Sequence, residues 1–339
     1  KMPDLRDEQA VVAGLLHVGR RFGLKGWVLY PTRDETVAAL SRHRNLLAEY
    51  FRVPTPQWDT IQWVWDKRNT YRRAKELGIA VPRTECPGDA GRLRTLDISF
   101  PVAIKPAIKE HFLRATKAKA WRANNHAELE SLFQRAANLI GPDEVMVQEL
   151  VPGDGRHQFA YCAFFKEHHA VGRMIARRTR QHPVEFGRAS TYVETTEEPL
   201  LETVSERFLR SIDYYGLVEL EYKLDPRDRQ YKLLDVNART WGYHTLGRRA
   251  GVDFPWLLFA DQLGHHVEPQ RAQCGVSWVR LVTDLPAAAC QILAGRLKCK
   301  AYLRSLRAAQ IESVFSREDP IPAIAELALI PYLAARRGF

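Results

Sequence analysis

Segment 217–239 reads as two alternating strands joined by the turn DPRDRQ. Alternation puts Glu219, Glu221 and Lys223 on one face of the first strand. On the second strand Asp235 and Asn237 share a face, with Arg239 two residues further on. Closing the hairpin brings these faces together, so carboxylates and an amide oxygen converge on a small volume. Hard oxygen donors of this kind suit Mg2+, which keeps its remaining positions for water and phosphate oxygens. Arg239 adds a planar fork for an anion. Taken alone, the same pattern also describes a solvated polar face on an edge hairpin.

Other residues gain meaning from this one. Lys105 ends the apolar run FPVAIKP, and Lys67 opens a helix in DKRNTY. A polyphosphate needs cationic donors opposite its metal, and helix N-termini favour phosphate oxygens. In VMVQELVPGDG a strand runs into a loop, where Gln148 or Glu149 can take an adenine amino group and Asp154 the ribose hydroxyls. Arg177, Arg178, Arg180 and Arg188 concentrate positive charge on and after one strand, with Arg178 and Arg180 alternating onto one face. Such a pair can neutralise a phosphate or a carboxylate bidentately.

The elements that must position these residues are legible from periodicity. EQAVVAGLLHVGRRFG is helical, KGWVLYP is a short buried strand, and TRDETVAALSRHRNLLAEYF is one helix. Asp66 caps a helix that stops at Gly78, and IAVPRT leaves it in extended form. FPVAIKP is a strand, KAKAWRA its hairpin partner, HAELESLFQRAANLI an amphipathic helix and EVMVQELV a further strand. QFAYCAFF and HAVGRMIARRTRQ pair antiparallel around a KEHH turn. PLLETVSERFLRSIDYYG is a helix stopped by Gly216, GVSWVRLVTD is strand-like, and the chain closes on the helical, apolar PIPAIAELALIPYLAARRG.

In order, the chain reads DK, GIAVPRT, FPVAIKP, VQELVPG and then the acidic hairpin. This order resembles the ATP-grasp superfamily, in particular its carboxylate–amine ligase-like members, over about residues 30–265. The closing hairpin carries the resemblance best: Glu221, the turn DPRDRQ, then Asp235-Val-Asn237-Ala-Arg239. The resemblance implies an α+β fold, with two α+β lobes clasping ATP, a short α/β pre-domain and a C-terminal helical extension. It implies boundaries at 1–65 for the pre-domain, 66–150 for the N-lobe with its lid, 151–265 for the C-lobe with the metal site, and 266–339 for the extension. Lys67, Lys105 and Lys119 are then expected on phosphates. Gln148, Glu149, Leu150, Val151 and Asp154 are expected on the nucleoside. Glu221, Asp235 and Asn237 are expected on Mg2+ or Mn2+, with Glu219 on the same face. Arg239, with Arg178 or Arg180, is expected to steady an acyl phosphate or the acceptor carboxylate.

The pattern departs from the family in three ways. Asp235 stands where Glu is frequent. The stretch PAIKEHFLRATKAKA replaces a glycine-rich phosphate loop, so the lid is expected to be mobile and to rely on Arg114, Lys117 or Lys119. The pre-domain shows one strand before residue 35, and its first βα unit is expected to be missing from this chain. The implied activity is ADP-forming ligation of a small-molecule carboxylate to an amine. A protein that holds ATP without ligating is the alternative, and a basic nucleic-acid-binding protein the more distant one.

Composition bounds the rest. With 339 residues, 45% apolar and 27% charged, the chain is an ordinary globular protein rather than a disordered or fibrous one. Lys plus Arg exceeds Asp plus Glu by 50 to 40, a formal charge of +10 that invites an anionic partner. No nucleic-acid recognition signature accompanies that charge. Cys86, Cys162, Cys274, Cys290 and Cys299 are odd in number and contain no CxxC, which argues against a disulfide framework and suits a reducing cytoplasm. No apolar run reaches the ~18 residues of a membrane span. Dimers are the commonest symmetric assembly, and the sequence leaves open whether this chain forms a homodimer.

Overall fold

The computed structural model describes residues 4–332 except 184, 185 and 188. Five helices come first: α1 (Glu8–Phe22), α2 (Asp34–Arg42), α3 (Arg44–Ala48), α4 (Trp58–Trp65) and α5 (Lys67–Glu76). Val12, Leu40, Leu47, Phe51 and Val53 form a small core of their own here. The strand expected at 25–31 reduces to one parallel bridge between Val28 and Arg52. A strand needs a ladder of partners, and with a single bridge Trp27 stays 62% exposed. The single helix expected over 32–51 breaks at His43, whose ring turns back to Glu8 on α1 at 3.1 Å. Asp66 caps α5 as expected, accepting from the Arg68 backbone N–H at 2.9 Å. Gly78, at φ +65°, ends that turn in a conformation that costs other residues strain.

A four-stranded antiparallel sheet follows, from β1 (Thr84–Glu85), β2 (Val102–Pro106), β3 (Trp121–Ala123) and β4 (Val145–Glu149) in the order β1-β4-β2-β3. Helices α6 (Lys109–Thr116) and α7 (His126–Ile140) cover it, and Ile104, Phe112, Leu129, Phe133 and Val147 fill the space between. Helix α6 lies within the stretch expected to form the lid. Its Phe112 is fully buried, and burying a phenyl ring stabilises by about 2 kcal/mol.

The larger sheet contains β5 (Gln158–Lys166), β6 (His169–His182), β7 (Ala189–Thr196), β8 (Gly216–Leu224), β9 (Tyr231–Asn237), β10 (Gln270–Arg271), β11 (Ser277–Val279) and β12 (Ile311–Glu312). Its order is β12-β11-β7-β6-β5-β8-β9, with β10 parallel to β6. Helix α8 (Pro199–Ser211) covers one face, while α9 (Thr245–Arg249) and α10 (Phe254–Gln262) cover the other. Phe159, Tyr161 and Ala163 of β5 point to the first core, and Ala160, Cys162 and Phe164 to the second. Burial on both sides is why QFAYCAFF reads as a continuous apolar run.

Helix α8 ends at Ser211, before Gly216, because Asp213 already has φ +49°. Strand β7 has no counterpart in the sequence reading. The C-terminal segment adds α11 (Leu281–Leu293), α12 (Cys299–Ala308) and α13 (Ile321–Ala328). It is not purely helical, since β11 and β12 extend the large sheet beyond β7. No helix among the described residues is long and apolar enough to cross a membrane.

Candidate active site

Strands β8 and β9 pair antiparallel, with Glu219 opposite Asn237 and Glu221 opposite Asp235. Alternation therefore places all four on the face beside Tyr243. The Asn237 amide donates to Glu219 Oε2 at 3.2 Å and to Glu221 Oε1 at 3.0 Å. Tyr243 Oη donates to Glu219 Oε1 at 2.5 Å. Arg178, on β6, forms an ion pair with Glu221 and donates from Nε to Ser190 Oγ at 2.7 Å. Burial opposes the Glu221 charge, but the Arg178 guanidinium and the Lys119 ammonium outweigh it and hold that carboxyl below the usual range. Glu219 moves the other way, raised by burial and by the neighbouring Glu221 charge.

Asp235 forms an ion pair with Lys67 at the start of α5. Burial works against its charge, yet Lys67 and then Lys109 keep the carboxyl ionised well into acid. Asp34, on α2, pairs with Lys109 of α6 and receives Arg239 Nε at 2.6 Å. Arg239 Nη2 also donates to Asn237 Oδ1 at 3.1 Å. A pocket between the lobes is lined by Asp34, Trp65, Lys67, Lys109, Glu110 and Asp235, among others.

Lys105 Nζ donates to Tyr71 Oη and to Gln148 Oε1, both at 2.7 Å, and burial lowers its pKa. Tyr71 Oη in turn donates to the Leu234 carbonyl at 2.8 Å, joining β2 and β4 to β9 through α5. Lys119 Nζ donates to the Gly187 carbonyl at 2.7 Å, and burial brings its pKa down to about 8. That value leaves the ammonium charged at neutral pH while making it an acceptable donor in a drier site.

The remaining expected residues are placed differently. Arg180 lies away from Glu221, in a buried pair with Asp284 of α11 at 2.7 Å, with Ser305 Oγ accepting at 2.9 Å and Tyr192 beneath the guanidinium. It is a structural arginine, not one of the cleft cations. Arg177 is taken by Glu194 at 2.6 Å, so these two arginines are spent on internal acids, and Arg188 lies outside the described residues. Glu149 is held by Arg227 and Lys232 at 2.8 and 3.2 Å, and Asp154 caps a turn by accepting from Arg156 and His157. Both carboxylates are therefore engaged by neighbouring cations, and neither lines the pocket at Lys67 and Asp235. Leu150 donates its backbone N–H to the Pro101 carbonyl at 3.3 Å, and Val151 is buried.

Glu221, Asp235 and Asn237 present hard oxygens on one face, which is the donor chemistry of a Mg2+ site. Among the described residues no three His, Cys, Asp or Glu side chains close on one point as a ready metal site. The protein's own cations, Arg178 and Lys67, hold these acids instead. The donor set fits a hard divalent cation once those cations are drawn off to an anion.

Comparison with known proteins decides the fold. Biotin carboxylase from Campylobacter jejuni, solved as a β-γ-ATP complex, superposes with a TM-score of 0.65 over 80% of this chain and 62% of its own, at 13% identity. An L-amino acid ligase from Bacillus licheniformis superposes at 0.56 over 77% and 62%, at 18% identity. The chain has the ATP-grasp fold. No family model matches its sequence. A D-aspartate ligase from Enterococcus faecium (strain Aus0004) is 26% identical over 226 residues, which cover 63% of this chain and 53% of the ligase. The chain thus spans about half the length of that relative.

Within this cleft, Asp34, Lys109 and Glu110 escaped the sequence reading. Lys109 stands four residues past Lys105 and opens α6, a position that favours an anion, so its signal was present. Asp34 carried none, because its partners lie 75 and 205 residues away.

Two expected results follow from these placements. Arg180→Leu leaves Asp284 buried without a counter-ion and is expected to cost about 3 to 5 kcal/mol in denaturant unfolding. Nucleotide binding by the folded fraction should be unchanged, and a binding defect at full folding would return Arg180 to the cleft. Glu110 is raised to about 7, first by burial, then by Asp34 and Glu35 against the opposing charge of Lys109. Its protonation therefore stabilises the fold fully below an unfolded pKa of about 4.3, and that stabilisation fades as pH rises through about 7. Glu110→Gln is expected to flatten the fall in Tm between those limits. An unchanged slope would mean the carboxyl titrates normally.

Proposed function

We propose that this protein is an ADP-forming ligase that activates a small carboxylate as an acyl phosphate and joins it to an amine. The observation that carries this is the cleft itself. Lys67, Lys109, Arg178 and Arg239 stand on Glu221, Asp235, Asn237 and Asp34 between the two sheets. Lys105 and Lys119 stand close by, the latter feeling the Glu221 charge. This cation excess suits a polyphosphate, and the acid–amide face suits the metal that accompanies it.

In this reading the substrate carboxylate attacks the γ-phosphorus of ATP, and ADP leaves. The amine then adds to the acyl carbon, loses a proton, and inorganic phosphate departs as the amide forms. Lys67, Lys105 and Lys119 hold phosphate oxygens, and Glu221, Asp235 and Asn237 hold Mg2+ or Mn2+, which supplies compensating charge. Arg178 and Arg239 are the fork donors for the acyl phosphate or a substrate carboxylate. Little covalent chemistry is asked of the protein, because positioning and charge stabilisation do the work in phosphoryl transfer. The backbone of Gln148–Val151 is the nucleoside edge. The boundaries at 65, 150 and 265 remain our division of the chain. Five free cysteines suit a reducing cytoplasm.

The relative named above points to an acidic amino acid as the carboxylate. The test is calorimetry of Mg2+-dependent ATP binding, followed by ADP release with D-aspartate and pooled amines. ADP release that needs both acid and amine supports the reading. Binding without turnover over any pool would favour a protein that holds ATP without ligating, and no binding at all would overturn both.

A further inference from the structure

From Leu285 to Ile311 the sequence contains Arg296, Lys298, Lys300, Arg304 and Arg307 and no Asp or Glu. Helix α12 is fixed from one side. Tyr302 is 6% exposed with its ring beneath the Arg180 guanidinium at 5.0 Å, and Ser305 Oγ accepts from the same arginine. At 100° per residue, the opposite face then carries Lys300, Leu303, Arg304 and Arg307, spaced i, i+3, i+4, i+7. All are exposed, as are Arg296 and Lys298 in the turn before the helix. Leu293, which ends α11, is 88% exposed, and Leu285 and Leu303 are about half exposed. Among the described residues none of these cations takes part in an ion pair, whereas Arg177, Arg178 and Arg180 on β6 are each paired.

We propose that the α11–α12 corner is a docking surface for an anionic lipid bilayer. Cations and Leu303 on the exposed face of α12, with the exposed Leu293 at the end of α11, combine electrostatic attraction to acidic headgroups with shallow apolar insertion. A nucleic acid would use the cations but leave the leucines wet, and single strands also want aromatic platforms. The one aromatic residue in this stretch, Tyr302, is buried under Arg180. A second copy of the chain, meeting this face across a two-fold axis, would set the cations against themselves. An anionic bilayer satisfies both features at once, and the proposal does not depend on the ligase reading.

The experiment is co-sedimentation of the full chain with vesicles of phosphatidylcholine alone and with phosphatidylglycerol added, at low and high salt. Wild type is expected to pellet only with the anionic vesicles and to be released by salt. Combined Lys300→Gln, Arg304→Gln and Arg307→Gln should weaken partitioning by about fivefold per charge, roughly a hundredfold together. Leu293→Ser should weaken it without changing the salt dependence. All of these residues are exposed, so an unchanged Tm is expected and separates lost docking from lost folding. No pelleting by folded wild type overturns the proposal. So does equal binding to neutral vesicles, or self-association through these residues with the vesicles ignored.

Discussion

Asp235→Ala is expected to lower ADP release by roughly a hundred- to thousandfold and to destabilise the fold by about 3 to 5 kcal/mol. Both effects have one origin. The carboxylate is the counter-ion of Lys67, whose side chain is only 12% exposed, and it also faces Lys109. Removing it leaves a buried ammonium unpaired. The variant that separates structure from chemistry is the double change Asp235→Ala with Lys67→Met. Taking out both charges should restore most of the stability, because a buried pair replaced by apolar groups is often neutral. It should restore none of the Mg2+-dependent nucleotide binding. If the double variant bound Mg2+ and ATP like wild type, Asp235 would be a structural partner only. Asp235→Asn provides the pH signature. The folded carboxyl titrates below its unfolded value of about 3.9, so its contribution is present above that pH and lost as acid is added. The Asn variant should lack that acid limb.

How much of this was legible in the sequence divides along one line. Alternation is local, and it placed Glu219, Glu221, Asp235 and Asn237 on one face, as the β8–β9 register has them. Capping is local too, and Asp66 sits where its residue type predicted. What failed needed a partner from elsewhere. KGWVLYP had the composition of a buried strand but has one bridging residue for a neighbour. PAIKEHFLRATKAKA gave no helix in the sequence, because its anchor, Phe112, takes its socket from α7 and the four-stranded sheet.

Charge was the least legible property. Arg178 and Arg180 are two residues apart and share a strand, so spacing gave them one role. Bulges in the β6–β7 pairing lie between Arg177 and Gln181, and the two guanidinium groups go to different acids. Asp284, which claims Arg180, is 104 residues away on α11, in the segment expected to be a mere extension. Glu149 and Asp154 have the chemistry to meet a nucleoside, and spacing does not show that each also has a cation beside it, Arg227 with Lys232 for one and Arg156 for the other. A lone sequence shows which residues can carry charge and not which neighbour will use it.

Arg178→Met should be the most informative single change in the cleft. Its side chain is 7% exposed and stands on Glu221, with the Glu219 charge also acting on it. Without the guanidinium, two buried carboxylates face each other with Asn237, Tyr243, Lys119 and Arg239 left to offset them. The expected result is a loss of about 3 to 5 kcal/mol in the absence of metal, with the Glu219 carboxyl still raised by burial and by its neighbour and Glu221 no longer held down by the guanidinium. Stability of the variant should then rise as pH falls, because a raised carboxyl pKa favours the folded state when protonated. The same variant should show a rise in Tm on adding Mg2+ without nucleotide, and a larger one than wild type. If Glu221 holds the proposed metal, the arginine competes with it, and deleting the protein's cation leaves the oxygens free for Mg2+. Ca2+ and Mn2+ should act in the same direction, while monovalent salt at equal ionic strength should not. If divalent cations leave the Tm of Arg178→Met unmoved, these carboxylates are not a metal site in any state of the cleft. The nucleotide would then rest on the lysines and arginines alone.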